Sequence, residues 1–251
     1  MKIGVAQIKP LKGDIEKNLD KHLKFIESIS EKKPDLLLFP ELSLTGYEPE
    51  LARDLATEPY DERFIPIQKL SDHLKIIIGV GVPTLSSGEL FISMILFIPN
   101  RERITYSKQY LYPTETGIFT AGKTPCIISF DDEYIIAPAI CYELSNNEHA
   151  GYAHRMNANV YIASVLNSIG GVDADIERLS KIASTYKMIT FMSNYVGESG
   201  GYQCAGKSSV WNTEGELVAQ LDGQMEGVLI YDMKAKTVDI IEMRNRSMKI
   251  G

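Results

Sequence analysis

Short apolar runs that stop abruptly on polar residues constrain this chain more than any other feature. Asp35 to Phe39 stops on Pro40-Glu41, and Tyr134-Ile-Ile-Ala-Pro-Ala-Ile140 stops on Cys141-Tyr142-Glu143. Asn159 to Val165 and Ile189 to Ser193 are of the same kind. Runs this short and this unbroken read as strands buried on both faces. Between them lie segments with helical spacing. Asp14 can cap a helix that carries Ile15, Leu19, Leu23, Ile26 and Ile29 on one face, with Pro34 stopping it. Further helices are expected over Asp61–Leu74, Asn147–Met156 and Asp175–Tyr186, the last with Ile176, Leu179, Ile182, Ala183 and Tyr186 inward.

Lys2–Ile8 reads as the first strand, Ile76–Val82 as another that Pro83 ends, and Glu226–Met233 as the last clear one. Leu90–Ile98 with Ile104–Ser107, and Ile127–Phe130 with Tyr134–Ile140, pair as hairpins, and a third turns at Thr213-Glu-Gly215. Gly197–Gly206 reads as a glycine-rich loop, and the tail from Lys234 is expected to pack outside the core. Strand and helix alternate without a repeat or linker, which predicts one α/β domain over 1–251.

Composition excludes several classes. A net charge of −7 with no basic cluster disfavours nucleic-acid binding. No apolar run reaches the length of a membrane span. The chain enters its first strand at once, without a cleavable signal, and its three cysteines, Cys126, Cys141 and Cys204, form no CxxC pair. That pattern fits a reducing, cytoplasmic setting rather than a disulfide scaffold. Cys126 and Cys204 are read as structural.

Three reactive groups stand at strand ends. Cys141 closes an apolar strand, and a helix start just beyond it would favour a thiolate. Glu41 follows Phe39-Pro40, at the carboxyl end of a buried strand where open α/β sheets bind ligands. Lys108 ends the Ile104–Ser107 strand, ahead of a long loop, Tyr112–Lys123, of the kind that carries function. Each alone has an ordinary explanation: a buried thiol, a solvated acid, an exposed amine. Together they make chemical sense, because a carboxylate can take a thiol's proton and an ammonium can hold an oxyanion.

With these pieces in order the sequence resembles the nitrilase superfamily of carbon–nitrogen hydrolases. The matching stretches are Phe39-Pro-Glu41-Leu-Ser-Leu-Thr-Gly46-Tyr47, Tyr106-Ser-Lys108-Gln-Tyr-Leu111-Tyr-Pro113-Thr-Glu115 and Ile140-Cys141-Tyr142-Glu143. Met192-Ser-Asn194 and Gly206-Lys-Ser208, with the Gly215 turn, extend the likeness over nearly the whole chain. The resemblance implies a four-layer α-β-β-α sandwich, usually dimerised, with Glu41, Lys108 and Cys141 as a catalytic triad. It implies that Glu115 supports the triad, and the Tyr142 backbone amide is read as a second oxyanion donor. No cofactor or metal is implied. The partner is a small-molecule amide, cleaved through a cysteine thioester.

Tyr47, Glu143 and Asn167 are candidate substrate contacts, although Glu143 is also explained as an acid complementing a helix start. After the nucleophile the chain departs from relatives that carry an arginine there, since Leu144, Ser145, Asn146 and Asn147 are not cationic. A neutral linear amide is therefore expected rather than a dicarboxylic acid monoamide, unless an arginine from elsewhere, such as Arg155 or Arg178, reaches in. An N-carbamoyl compound or a nitrile is the alternative within the superfamily. From another class, a silent binding member would keep the fold without the chemistry. A papain-like Cys–His pair, an HExxH zinc site and a calcium loop find no matching spacing.

Overall fold

The computed structural model describes residues 1–243 except 59 and 132, and the last eight positions of the predicted domain, 244–251, lie outside the described residues. Its larger sheet draws on β1 (Lys2–Gln7), β2 (Leu36–Leu38), β3 (Ile77–Ser86), β4 (Glu89–Phe97), β5 (Ile104–Ser107), β14 (Gly227–Asp232) and β15 (Thr237–Glu242). The order is β15-β14-β1-β2-β3-β4-β5. The second sheet comprises β6 (Ile128–Phe130), β7 (Tyr134–Ile140), β8 (Val160–Ser164), β9 (Ile189–Ser193), β12 (Ser209–Trp211) and β13 (Leu217–Gln220). Its order is β13-β12-β9-β8-β7-β6. The helices are α1 (Ile15–Ser28), α2 (Ile65–Leu74), α3 (Asn147–Arg155) and α4 (Val172–Tyr186).

The period-two alternation of each strand sorts its side chains into layers. Ile3 and Val5 of β1, with Leu36 and Leu38 of β2, meet Ile140, Ile162, Phe191 and Val210 of the second sheet in one core. Ala6 and Leu37 face the other way and join Phe25 and Ile26 of α1 and Ile67 of α2. Ala137, Ala139, Tyr161 and Ala163 likewise turn from the second sheet toward Ala150 and Ala153 of α3 and Leu179 and Ile182 of α4. Three separate cores between four layers are the α-β-β-α sandwich. The unbroken apolar runs have the reason the sequence implied, because both faces of each central strand are covered.

Hydroxyls clamp the two sheets together beside the carboxyl ends of their strands. Ser193 Oγ donates to Ala6 O at 2.6 Å, and Ser164 Oγ to Phe39 O at 2.8 Å. Such buried donors fix the height of one sheet against the other, which apolar contact alone does not.

Several expectations need correction. The described part of the tail lies outside the core, as expected, but as a strand: Thr237–Glu242 forms β15, a mostly exposed antiparallel edge strand on β14. Gly197–Gly206 is not a loop but holds most of a hairpin, β10 (Val196–Ser199) with β11 (Tyr202–Ala205). Pro83 does not end β3. The strand runs on to Ser86, because β2 is three residues long and leaves that flank to Thr57, which donates to the Pro83 carbonyl and accepts from Leu85 N, so that no N–H is asked of Pro83. The helix expected from Asp61 begins as a short 3-10 turn, with α2 proper starting at Ile65, and α4 starts earlier than expected, at Val172.

Candidate active site

Glu41, Lys108 and Cys141 each leave the end of a strand, and two close backbone approaches bring their loops inward. A Cβ on Gly81 would stand 2.2 Å from Leu42 N, so only glycine lets the Glu41 turn lie against β3. A Cβ on Gly122 would stand 2.1 Å from Ser107 O, so the long loop can return beside Lys108, where Gly122 N donates to Lys108 O at 2.8 Å. Cys141 itself has φ 46°, a left-handed backbone that costs a side-chain-bearing residue about 1–2 kcal/mol. That bend lifts the thiol off the strand and starts a 3-10 turn, Cys141–Ser145.

The three side chains converge. Lys108 Nζ donates to Glu41 Oε1 at 2.7 Å and to Glu115 Oε1 at 2.8 Å, and Lys108 is fully buried. Glu115 is held in turn by Tyr47 Oη at 2.9 Å and by the Tyr112 amide at 2.7 Å. Glu41 Oε2 is buried with no hydrogen-bond partner among the described residues. The Cys141 thiol donates to Leu166 O at 3.7 Å.

The electrostatics follow from burial. Burial pushes the Glu41 carboxyl up to about 7, although Lys108 pulls it down. Burial also opposes the Lys108 ammonium, but Glu41, Cys141 and Glu115 outweigh it and keep the group protonated. The thiol is pushed well above its ordinary value by burial and by the Glu41 charge. This corrects the expectation of a resting thiolate: a single 3-10 turn has little dipole to set against that burial and the Glu41 charge. The resting thiol needs a base, and Glu41 titrates where a base at neutral pH should.

A cavity of about 270 Å³ opens over these groups, lined by Glu41, Glu115, Cys141, Tyr47, Tyr142 and Asn167 among others. Asn167 is anchored by its amide N–H to Asn194 Oδ1 at 2.8 Å. Glu143 is placed elsewhere. It is fully buried behind the nucleophile turn, with both oxygens accepting from protein donors, and is not among the residues lining the cavity. The helix-start reading holds, since Glu143 stands in the first turn of the Cys141–Ser145 3-10 helix and caps the Ile140 N–H at 2.7 Å. The turn folds it away from the cavity, where a substrate contact would stand. Sequence reasoning passed over Asp175, Tyr112 and Tyr202, which line the cavity, and left Arg178 open. Arg178 does reach in, with its Nη1 on Asp175 Oδ1 at 2.6 Å. Their i,i+3 spacing on α4 was the available signal. Burial pushes Cys126 and Cys204 up to about 11, as suits inert thiols. Among the described residues no cluster of metal-ligating side chains occurs, and no helix is long and apolar enough to cross a membrane.

Known proteins match this chain along its length. The family model described as carbon-nitrogen hydrolase matches residues 2–241. The chain is 24% identical to "Hydrolase in agr operon" of Staphylococcus aureus, over 95% of this chain and 93% of that protein. It is 26% identical to a glutamine-dependent NAD(+) synthetase of Aquifex aeolicus, covering all of this chain and 46% of that protein. A variant of the amidase from Nesterenkonia sp. AN1, in complex with butyramide, superposes with a TM-score of 0.85 at 22% identity, over 94% of this chain and 92% of its own.

Proposed function

The chain belongs to the carbon–nitrogen hydrolase family, and on that premise we propose that it hydrolyses a small, linear, neutral amide through a Cys141 thioester. The observation that carries the reading is the buried triplet in which one ammonium holds two glutamates at 2.7 and 2.8 Å beside a thiol. Packing has no use for such a group, since an isolated buried charge is costly and an apolar set of equal volume would pack as well.

The chemistry balances with these groups alone. Cys141 Sγ attacks the carbonyl carbon while its proton passes to the free oxygen of Glu41. The oxyanion is held by Lys108 and by the Tyr142 backbone amide. Glu41 gives its proton to the departing nitrogen, the C–N bond breaks and ammonia or an amine leaves. Water then attacks the thioester as Glu41 takes its proton, and when the acid departs Glu41 returns that proton to Cys141 Sγ, re-forming the thiol. Glu115 holds Lys108 in place, while Tyr47 and Asn167 bound the substrate.

The neutral preference rests on Arg178, the cation in the cavity wall, being occupied by Asp175. The butyramide of the Nesterenkonia protein is of the class proposed here. An N-carbamoyl compound is the alternative within the family, and a nitrile fits the triad less simply, because its thioimidate must also be steered to the acid rather than the amide. A silent member of the fold is disfavoured by the complete triplet.

An ammonia-release screen across aliphatic amides, carbamoyl compounds and nitriles tests the reading. Turnover should be greatest on a neutral amide and vanish in Cys141→Ala while the melt stays cooperative. Retained activity in that variant would remove Cys141 from the mechanism. We also take the protein to be a dimer or higher homo-oligomer. A monomeric mass by light scattering at micromolar concentration would overturn that.

A further inference from the structure

Behind the nucleophile turn lies a buried polar chain that the mechanism above leaves unused. Glu143 Oε1 accepts from Gln109 N at 2.6 Å and Oε2 accepts from Ile140 N at 2.7 Å. Gln109 directly follows Lys108 and Ile140 directly precedes Cys141. One carboxylate therefore joins the two backbone segments that carry the cation and the nucleophile. Tyr106 Oη lies 2.8 and 2.9 Å from the two Glu143 oxygens and 2.8 Å from His149 Nε2, and His149 Nδ1 lies 2.7 Å from Tyr161 Oη.

Burial raises the Glu143 carboxyl to about 7, and above that pH, with Glu143 ionised, the single proton of a tyrosine hydroxyl leaves these contacts one consistent direction. Tyr106 donates to Glu143 and accepts from His149 Nε2–H, and His149 Nδ1 accepts from Tyr161. Burial lowers His149 to about 4, which keeps the ring neutral and able to play both parts. Glu143 thus receives only donors; Tyr106 lies on β5, Ile140 on β7, His149 on α3 and Tyr161 on β8, and Gln109 stands two residues past the end of β5. A carboxylate with several donors in a buried site is rigid in a way that apolar packing is not.

We infer that Glu143 is a positioning residue for the reaction: its carboxylate, oriented by the Tyr106–His149–Tyr161 chain, sets the Cys141 thiol in register with Lys108 and Glu41. The inference rests on Cys141 being the nucleophile. Glu143 acts through the backbone on either side of it, holding the strained Cys141 bend on one side and the Lys108 segment on the other. Glutamine cannot replace it. Its NH₂ would face either the Gln109 or the Ile140 N–H, donor against donor.

Iodoacetamide provides a test that needs no known substrate, with alkylation followed at each cysteine peptide by mass spectrometry below the melting temperature. In the unmodified protein Cys141 should label faster than Cys126. In Glu143→Gln its rate should fall at least about tenfold, since displacing reacting groups by a fraction of an ångström is costly. Tyr106→Phe keeps the volume and both backbone donors but removes the hydroxyl that donates to Glu143 and accepts from His149, and should slow labelling by at least about threefold. Ile230→Val, in the remote helix-side core, should lower the melting temperature and leave Cys141 labelling unchanged, which separates positioning from general destabilisation. Cys141 labelling no faster than Cys126 in the unmodified protein would sink the nucleophile reading, and this inference with it. Fast wild-type labelling that persists in Glu143→Gln would overturn the positioning role alone. If Glu143→Gln does not fold, undiminished labelling in Tyr106→Phe overturns it instead.

Discussion

The Glu41 carboxylate meets the Lys108 ammonium at 2.7 Å with neither side chain exposed. One oxygen is committed to the cation, and the other has no hydrogen-bond partner among the described residues and is free to take a proton. A base built this way keeps its place while its charge changes.

The first prediction is a pH profile. Burial raises Glu41 to about 7, so the working carboxylate is present above that pH and lost below it. Cys141 alkylation and amide turnover should both fall as pH drops through about 7, approaching tenfold per unit. In Glu41→Gln the rates should be low and flat over the same window. An identical limb in that variant would assign the titration to another group.

Removing the cation should cost both stability and activity. Lys108→Met leaves two buried glutamates with no ammonium between them, and breaking a buried pair typically costs about 3–5 kcal/mol. Urea unfolding would read the loss. Lys108→Arg should not restore turnover, because a planar guanidinium cannot meet both carboxylates from the ammonium's position. Full activity in the arginine variant would show that charge alone suffices.

Charge selectivity should be set by Asp175. Its carboxylate, 2.6 Å from Arg178 Nη1, neutralises the arginine at the cavity wall. For the unmodified protein, kcat/KM on a neutral aliphatic amide should exceed that on a succinamate-type substrate. A preference beyond about tenfold for the charged one, about 1.4 kcal/mol of transition-state binding, would overturn the neutral reading. Asp175→Asn should free Arg178 and move the ratio toward the charged substrate.

His22 predicts the sign of an acid instability. Fully buried between Asn18 O at 2.6 Å and Ser43 Oγ at 2.9 Å, it is lowered to about 4 by burial. Between that value and its ordinary 6.5 the unfolded chain binds a proton that the native one does not. Its contribution to stability is therefore lost as pH falls through that window. His22→Gln should melt lower at neutral pH yet lose less between about pH 6.5 and 4.5 than the unmodified protein. Parallel melting curves against pH would reject this assignment.

The sequence by itself determined an α/β domain of covered strands and the candidate triplet at their ends, while the four layers were implied only by the family resemblance. Apolar runs of strand length need cover on both faces, helix-spaced stripes supply it, and the reactive residues stand where those runs stop. These are local signals, carried by period and punctuation. It did not determine the continuation of β3 through Pro83 or the β15 edge, because both depend on what lies on the neighbouring flank. The fate of Glu143 was equally hidden. Three residues after Ile140, it turns inward only because the Cys141 bend, Tyr106 and Gln109, which stand far apart in the chain, converge on it. The thiol's protonation was decided in the same way. A helix start just beyond Cys141 suggested a thiolate, but burial and the carboxylate of Glu41, a hundred residues away in the sequence, outweigh the dipole of one short turn. Whether a buried group is charged depends on everything packed around it, and only the tertiary structure brings those neighbours together.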